Sequence, residues 1–101
     1  MKLSKDSKNL YETTIKTSLS KFDEIDSIIL FGSFIDSDEP NDIDIAIIQH
    51  SEENYLNLSL KYRKMLRELS KQIPLDIVPI KKDTKGIFLD EINKGKIIYE
   101  R

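Results

Sequence analysis

The chain contains no cysteine, a single histidine, and no Lys or Arg between Phe22 and Leu60. Without cysteine there is neither a disulfide framework nor a thiolate metal site, which fits a reducing compartment. With no second histidine and no Ser or Cys nucleophile motif beside it, His50 reads as a polar strand-end residue rather than a base or zinc ligand. No apolar run approaches membrane-spanning length, and the N-terminus alternates Lys with Ser and Asp around no apolar core. Neither a membrane span nor a signal peptide is expected, and the expected location is cytoplasmic.

The segment that lacks cations carries ten acidic residues. Lys2, Lys5, Lys8, Lys16 and Lys21 precede it, and Lys81, Lys82, Lys85, Lys94 and Lys96 lie near the end. A negative centre therefore sits between positive flanks, and the net charge of -2 excludes a chain built to coat a polyanion. For the acids outside any motif, ordinary solvated loops are an equally good reading.

At 101 residues, 39% hydrophobic and 34% charged, the chain is read as one globular domain spanning residues 1–101, with one core. Apolar periodicity predicts a helix from Ser4 to about Ser20, with Tyr11, Ile15, Leu19 and Phe22 on its buried stripe. Ser27 to Phe31 is a strand too uniformly apolar to have a wet face. Ser33-Phe34-Ile35 opens a single helical turn, and Asp42 to Ile48 is the second strand. A long helix is expected over Ser51 to Gln72, with Leu58, Tyr62, Met65, Leu66, Leu69 and Ile73 as its apolar stripe. Leu56 and Leu60 lie off that stripe and are either core or a partner surface, while the cations of its later part read as a solvated face. Leu75 to Ile80 is a third strand, Thr84 to Asn93 a helix, and Ile97-Ile98-Tyr99 a last short strand.

The chemistry gathers at the first two strand ends. Gly32 lets backbone approach a ligand, and Ser33 at a helix start offers a hydroxyl and free N–H groups to a phosphate. Asp42 and Asp44, two positions apart on a strand, point to one face while Ile43, Ile45 and Ile47 point to the other. Two like charges there need a cation, and carboxylates on a rigid strand suit a hard divalent ion. The alternative is strand-edge acids that discourage aggregation. Asp76 repeats the arrangement in the third strand.

Gly32-Ser33, then Asp42-Ile43-Asp44, then Asp76 in a later strand resemble the signature of the DNA polymerase beta-like nucleotidyltransferase superfamily, in particular its minimal nucleotidyltransferase (MNT) members. The ending from Ile92 to Tyr99 is similar to theirs, so the resemblance covers nearly the whole chain. It implies an α+β fold, a small mixed β-sheet flanked by helices. It further implies that Asp42, Asp44 and Asp76 hold two Mg2+ ions, with Mn2+ a possible substitute, and that Asp76 helps to deprotonate the attacking hydroxyl. Gly32 and Ser33 would hold the nucleoside triphosphate. In such minimal members the partner is often a helical HEPN-type toxin, to which the MNT antitoxin adds AMP from ATP. Asp36, Asp38 and Glu39 depart from the family by standing where it often has a glycine and a basic residue, and acids there would repel a triphosphate.

The expectation is thus a Mg2+-dependent nucleotidyltransferase modifying a partner protein. The alternative is a binding module of the same fold that docks a basic partner, or senses a nucleotide, without turnover. Aminoglycoside modification is a weaker reading, since those relatives use a second domain. Nucleic acid as main ligand is weaker still, because no basic path is evident.

Overall fold

A computed structural model describes residues 2–82, 92 and 94–101 of the chain. Its elements run α1 (Lys5–Leu19), β1 (Ile25–Phe31), α2 (Ser33–Asp36), β2 (Ile43–Gln49), α3 (Tyr55–Met65), α4 (Arg67–Ser70), β3 (Leu75–Lys81) and β4 (Lys96–Glu100). The strands form one mixed sheet in the order β3-β2-β1-β4. β1 pairs antiparallel with β2 and β4, whereas β2 and β3 are parallel. A parallel pair needs a crossover, and α3 with α4 supplies it.

α1 forms where expected because its first turn is capped. The Ser4 hydroxyl accepts from the Ser7 N–H at 3.1 Å, and Asp6 and Lys16 oblige the helix dipole at either end. Ile15 and Leu19 point inward to join Leu58, Tyr62, Leu66 and Leu69 against Ile28, Leu30, Ile43, Ile45, Ile47 and Ile77 of the sheet. The opposite sheet face buries Ile29, Ala46, Ile80 and Ile92 in a smaller cluster. Both faces are therefore covered, which is why β1 and β2 are apolar runs rather than alternating ones. A bulge between Ile25 and Ser27 lets Ile25 and Ile28 share the larger core despite their odd spacing.

Several expected boundaries differ; β1 already begins at Ile25, β3 ends at Lys81, and β4 runs Lys96–Glu100. Asp42 lies just ahead of β2, not inside it. The helix expected from Ser51 begins only at Tyr55, capped by the Asn54 side chain, which accepts from the Asn57 N–H at 2.8 Å. Residues before it are held in local turns instead: Gln49 Oε1 accepts from the Ser51 N–H at 2.6 Å, and Ser51 Oγ from the Glu53 N–H at 3.0 Å. The same helix is interrupted at Leu66, whose N–H is shared between the Tyr62 and Arg63 carbonyls while its side chain is drawn into the core. No Gly or Pro lies there to announce the break. The helix expected over Thr84 to Asn93 falls outside the described residues except for Ile92, which is buried.

α3 is tied to the entry of β1 by a polar cluster. Glu24 accepts from the Tyr62 hydroxyl at 2.9 Å and from Lys61 at 2.8 Å, and Lys61 also meets Glu53 at 3.0 Å and lies over the Phe22 ring. Burial would raise the Glu24 carboxyl, but the bonds from Lys61 and Tyr62 outweigh it and hold Glu24 below the usual glutamate range. Stability from a depressed carboxylate is present at neutral pH and lost as pH falls through its folded pKa. Tyr62→Phe should therefore lower the unfolding free energy by about 1–2 kcal/mol in neutral urea titrations. The difference from wild type should shrink once Glu24 is protonated.

Candidate active site

The register of β2 and β3 places Asp44 opposite Asp76, between the core pairs Ile43–Leu75 and Ile45–Ile77. Because side chains alternate, both acids lie on the sheet face away from α1 and α3. Asp44 also pairs across the other side with Phe31, the last residue of β1, so Gly32 follows immediately beside it. Gly32 has φ 76° and ψ -154°, a conformation that essentially only glycine adopts. It has no room for a side chain either, since a Cβ would lie 2.1 Å from Asp44 Oδ2. The missing side chain is what lets the carboxylate sit against the backbone. α2 then turns away, with the Gly32 carbonyl accepting from the Ile35 and Asp36 N–H groups and Phe34 fully buried as its anchor. Ser33 precedes the first intrahelical donor, so its N–H is ahead of the ladder.

Asp44 is the electrostatic centre. Burial, then the charges of Asp42 and Asp76, then a hydrogen bond shared with Asp76, push its carboxyl up to about 6 from an ordinary 3.8. A cleft of about 380 Å³ opens beside it, lined by Phe31, Gly32, Ile35, Asp36, Asp44, Lys94 and Gly95. Asp76 is exposed and Asp42 half-buried. Gly32, Ser33, Asp44, Asp76 and Asp42 thus gather at one end of the sheet. Among the described residues, however, no three Asp, Glu, His or Cys side chains converge as a ready metal cage. The donor set nevertheless fits a hard divalent cation: it is all oxygen, and the charges of Asp42 and Asp76 bear on Asp44 where a cation would relieve the repulsion.

Sequence reasoning missed two of the lining residues. Lys94 reads as part of the basic flank and Gly95 as part of the Ile92-to-Tyr99 ending, yet β4 returns beside β1 and both line the cleft. A Cβ on Gly95 would lie 2.2 Å from the Leu30 carbonyl oxygen, so the glycine of the Ile92-to-Tyr99 ending was the available signal. His50 stands at the far end of the sheet, with Nδ1 3.1 Å from both Asp26 oxygens, a polar strand-end residue as expected.

Residues 13–101 match the family described as Polymerase beta, Nucleotidyltransferase, and the chain belongs to that family. No curated protein sequence matches it. Among solved structures, a chain from the complex of tri-AMPylated Shewanella oneidensis HEPN toxin with MNT antitoxin superposes with a TM-score of 0.71 at 21% identity, over 93% of this chain and 73% of that one. A Sulfolobus solfataricus protein assigned as a nucleotidyltransferase gives 0.65 at 17% identity, over 93% and 80%. A chain of a toxin–antitoxin complex with AMP-PNP gives 0.62 at 20% identity, over 89% and 73%. At these identities the likeness is one of fold, and the α+β nucleotidyltransferase fold is the one expected. Among the described residues no helix is long and apolar enough to cross a membrane.

A carboxyl raised in the folded state favours folding when protonated and loses that advantage as pH rises through about 6. Asp44→Asn keeps the shape and removes the repulsion. In EDTA at neutral pH it should therefore raise stability, by about 1 kcal/mol after allowing for solvent screening, with the gain vanishing toward pH 4. Thermal unfolding across pH checks this.

Proposed function

We propose that the chain is a divalent-cation-dependent nucleotidyltransferase that transfers AMP from ATP to a hydroxyl of a partner protein, acting as the antitoxin of a HEPN-type toxin in the cytoplasm. The observation that carries this reading is the juxtaposition of Gly32 backbone, Asp44 and Asp76 at one end of the sheet, with a cleft beside them. The family membership supports the reaction class. Chains that share the fold come from the complex of tri-AMPylated HEPN toxin with MNT antitoxin and from a toxin–antitoxin complex with AMP-PNP, which supports the acceptor and the nucleotide.

In this reading Asp42, Asp44 and Asp76 would hold Mg2+ or Mn2+, and Gly32 and Ser33 would present backbone N–H groups to the phosphates. A divalent ion held there would supply positive charge to the polyphosphate and lower the pKa of the acceptor hydroxyl. The acceptor oxygen bonds to the α-phosphorus, the bond to the bridging oxygen breaks, and pyrophosphate leaves. Asp76, exposed at the edge of the site, takes the hydroxyl proton and passes it to solvent. Lys94 supplies a positive charge to the cleft that the acidic loop after Ser33 lacks, opposing Asp36 there.

The second reading, a partner-binding module without turnover, draws on the absence of a converged ligand cage among the described residues. Calorimetric titration of AMP-PNP in Mg2+, Mn2+ or EDTA separates the two. Metal-dependent binding that is abolished in Asp42→Asn with Asp44→Asn supports the transferase. No binding with either metal, in folded protein, supports the module. Asp76→Asn should abolish transfer of α-labelled AMP to the partner while leaving the partner complex intact. Lys94→Ala should weaken AMP-PNP binding by roughly tenfold, with Lys94→Arg restoring most of it.

A further inference from the structure

α3 buries Leu58 and Tyr62 and leaves its other side uncovered. On that side Leu56, Leu60, Arg63 and Lys64 recur at i, i+4, i+7 and i+8, the spacing that forms one row on a helix, and Arg67, the first residue of α4, lies with them past the break at Leu66. Leu56 and Leu60 are 64% and 58% exposed, so they are not core. Where the row passes the edge strand β3, a cleft of about 300 Å³ is lined by Leu60, Arg63, Lys64, Arg67, Ser70 and Leu75. The neighbouring cations are matched, Lys61 with Glu24 and Glu53, and Lys71 with Glu68. Among the described residues no carboxylate pairs with Arg63, Lys64 or Arg67.

We propose that this row is a docking surface for a helix of a partner protein whose facing side carries aliphatic residues flanked by Asp or Glu, and that this partner is the acceptor of the transfer. The identity of the partner as acceptor rests on the function proposed above. Charge complementarity argues for the occupant: three unmatched cations around two exposed leucines call for acids around an apolar centre. A nucleic acid would leave those leucines against phosphate, on a chain of net charge -2. Strand addition is opposed at the β3 edge, where Arg63 donates to the Leu75 carbonyl at 3.4 Å and Pro79 has no N–H to offer. Another copy of this chain fits poorly: among the described residues the adjacent acid pairs Asp38-Glu39 and Glu52-Glu53 lie in turns, not on a helix face. Position agrees with the role, since Leu75 of the cleft immediately precedes Asp76.

The test uses the full chain, isotope-labelled for NMR, and a synthetic helical peptide of about 20 residues with leucines at i, i+4 flanked by Glu. A twin peptide with Lys for each Glu and a single-stranded RNA serve as comparisons. Saturable binding of the Glu peptide alone is expected, with shifts confined to Leu56, Leu60, Arg63, Lys64, Arg67 and their contacts. Leu60→Glu and the pair Arg63→Glu, Arg67→Glu should each weaken it by roughly tenfold or more. Absence of binding, equal binding of the Lys peptide, RNA binding on this row, shifts elsewhere, or concentration-dependent self-association abolished by Leu60→Glu would each overturn the proposal. AMP-PNP titration of the same variants keeps the two readings apart. Unchanged nucleotide binding with lost peptide binding assigns the loss to the row, whereas wild type that binds peptide but no nucleotide removes only the transferase.

Discussion

The parallel register of β2 and β3 sets two acids of like charge side by side, and almost everything about the site depends on what enforces that register. Ile43, Ile45, Ile47 and Ile77 are at most 1% exposed on the helix-covered face. A slip of one residue would turn the whole isoleucine set outward and carry Asp44 into the core. Each buried isoleucine stabilises the register by about 2 kcal/mol, so together they outweigh the repulsion at Asp44 several times over. The core, not any attraction among the acids, holds the site in shape. That is the arrangement expected of a binding site that is itself destabilising when empty of cations.

Asp44 meets the chain on its other side at Gly32, and the two positions constrain one another. The glycine's positive φ and the lack of space for a Cβ both follow from a carboxylate lying against the turn. Phe34, buried just beyond, fixes the direction in which α2 leaves. Backbone amides and carboxylate thus face one cleft without either residing on a long loop. The acids of the following segment crowd that cleft through Asp36, and the chain answers with a lysine from the far end of the sequence.

The strands and their order of appearance were legible because uninterrupted isoleucine runs bounded by Gly, Pro and acids have few alternatives. The acids were legible for the same reason: Asp44 and Asp76 are ionisable groups in segments otherwise buried, and they became neighbours once the strands paired. What was not legible depends on contacts that no local pattern carries. Gln49 and Ser51 hold their own backbone in turns and so delay α3 to Tyr55, although Ser51 alone looked like a helix start. The break at Leu66 has no Gly or Pro behind it and reflects the pull of the core on one side chain. Lys94 enters the cleft only because β4 closes on β1, a pairing across most of the chain.

The two faces of the sheet separate stability from chemistry, and α3 extends the separation. Its inner side completes the core that pins β2 against β3, and its outer side carries cations and leucines that the core does not use. The acids sit on the other face of the sheet, so a helix docked on α3 neither covers them nor competes with a nucleotide in the Asp44 cleft. Contact between the two regions narrows to the step from Leu75 to Asp76, where one side chain faces the basic cleft and the next faces Asp44. In the docking proposed, a partner held on α3 meets the chain at Leu75, one residue before Asp76. In the function proposed, the negative centre and the positive helix have distinct tasks: one would gather cations for a polyphosphate, and the other would hold the protein whose hydroxyl is modified.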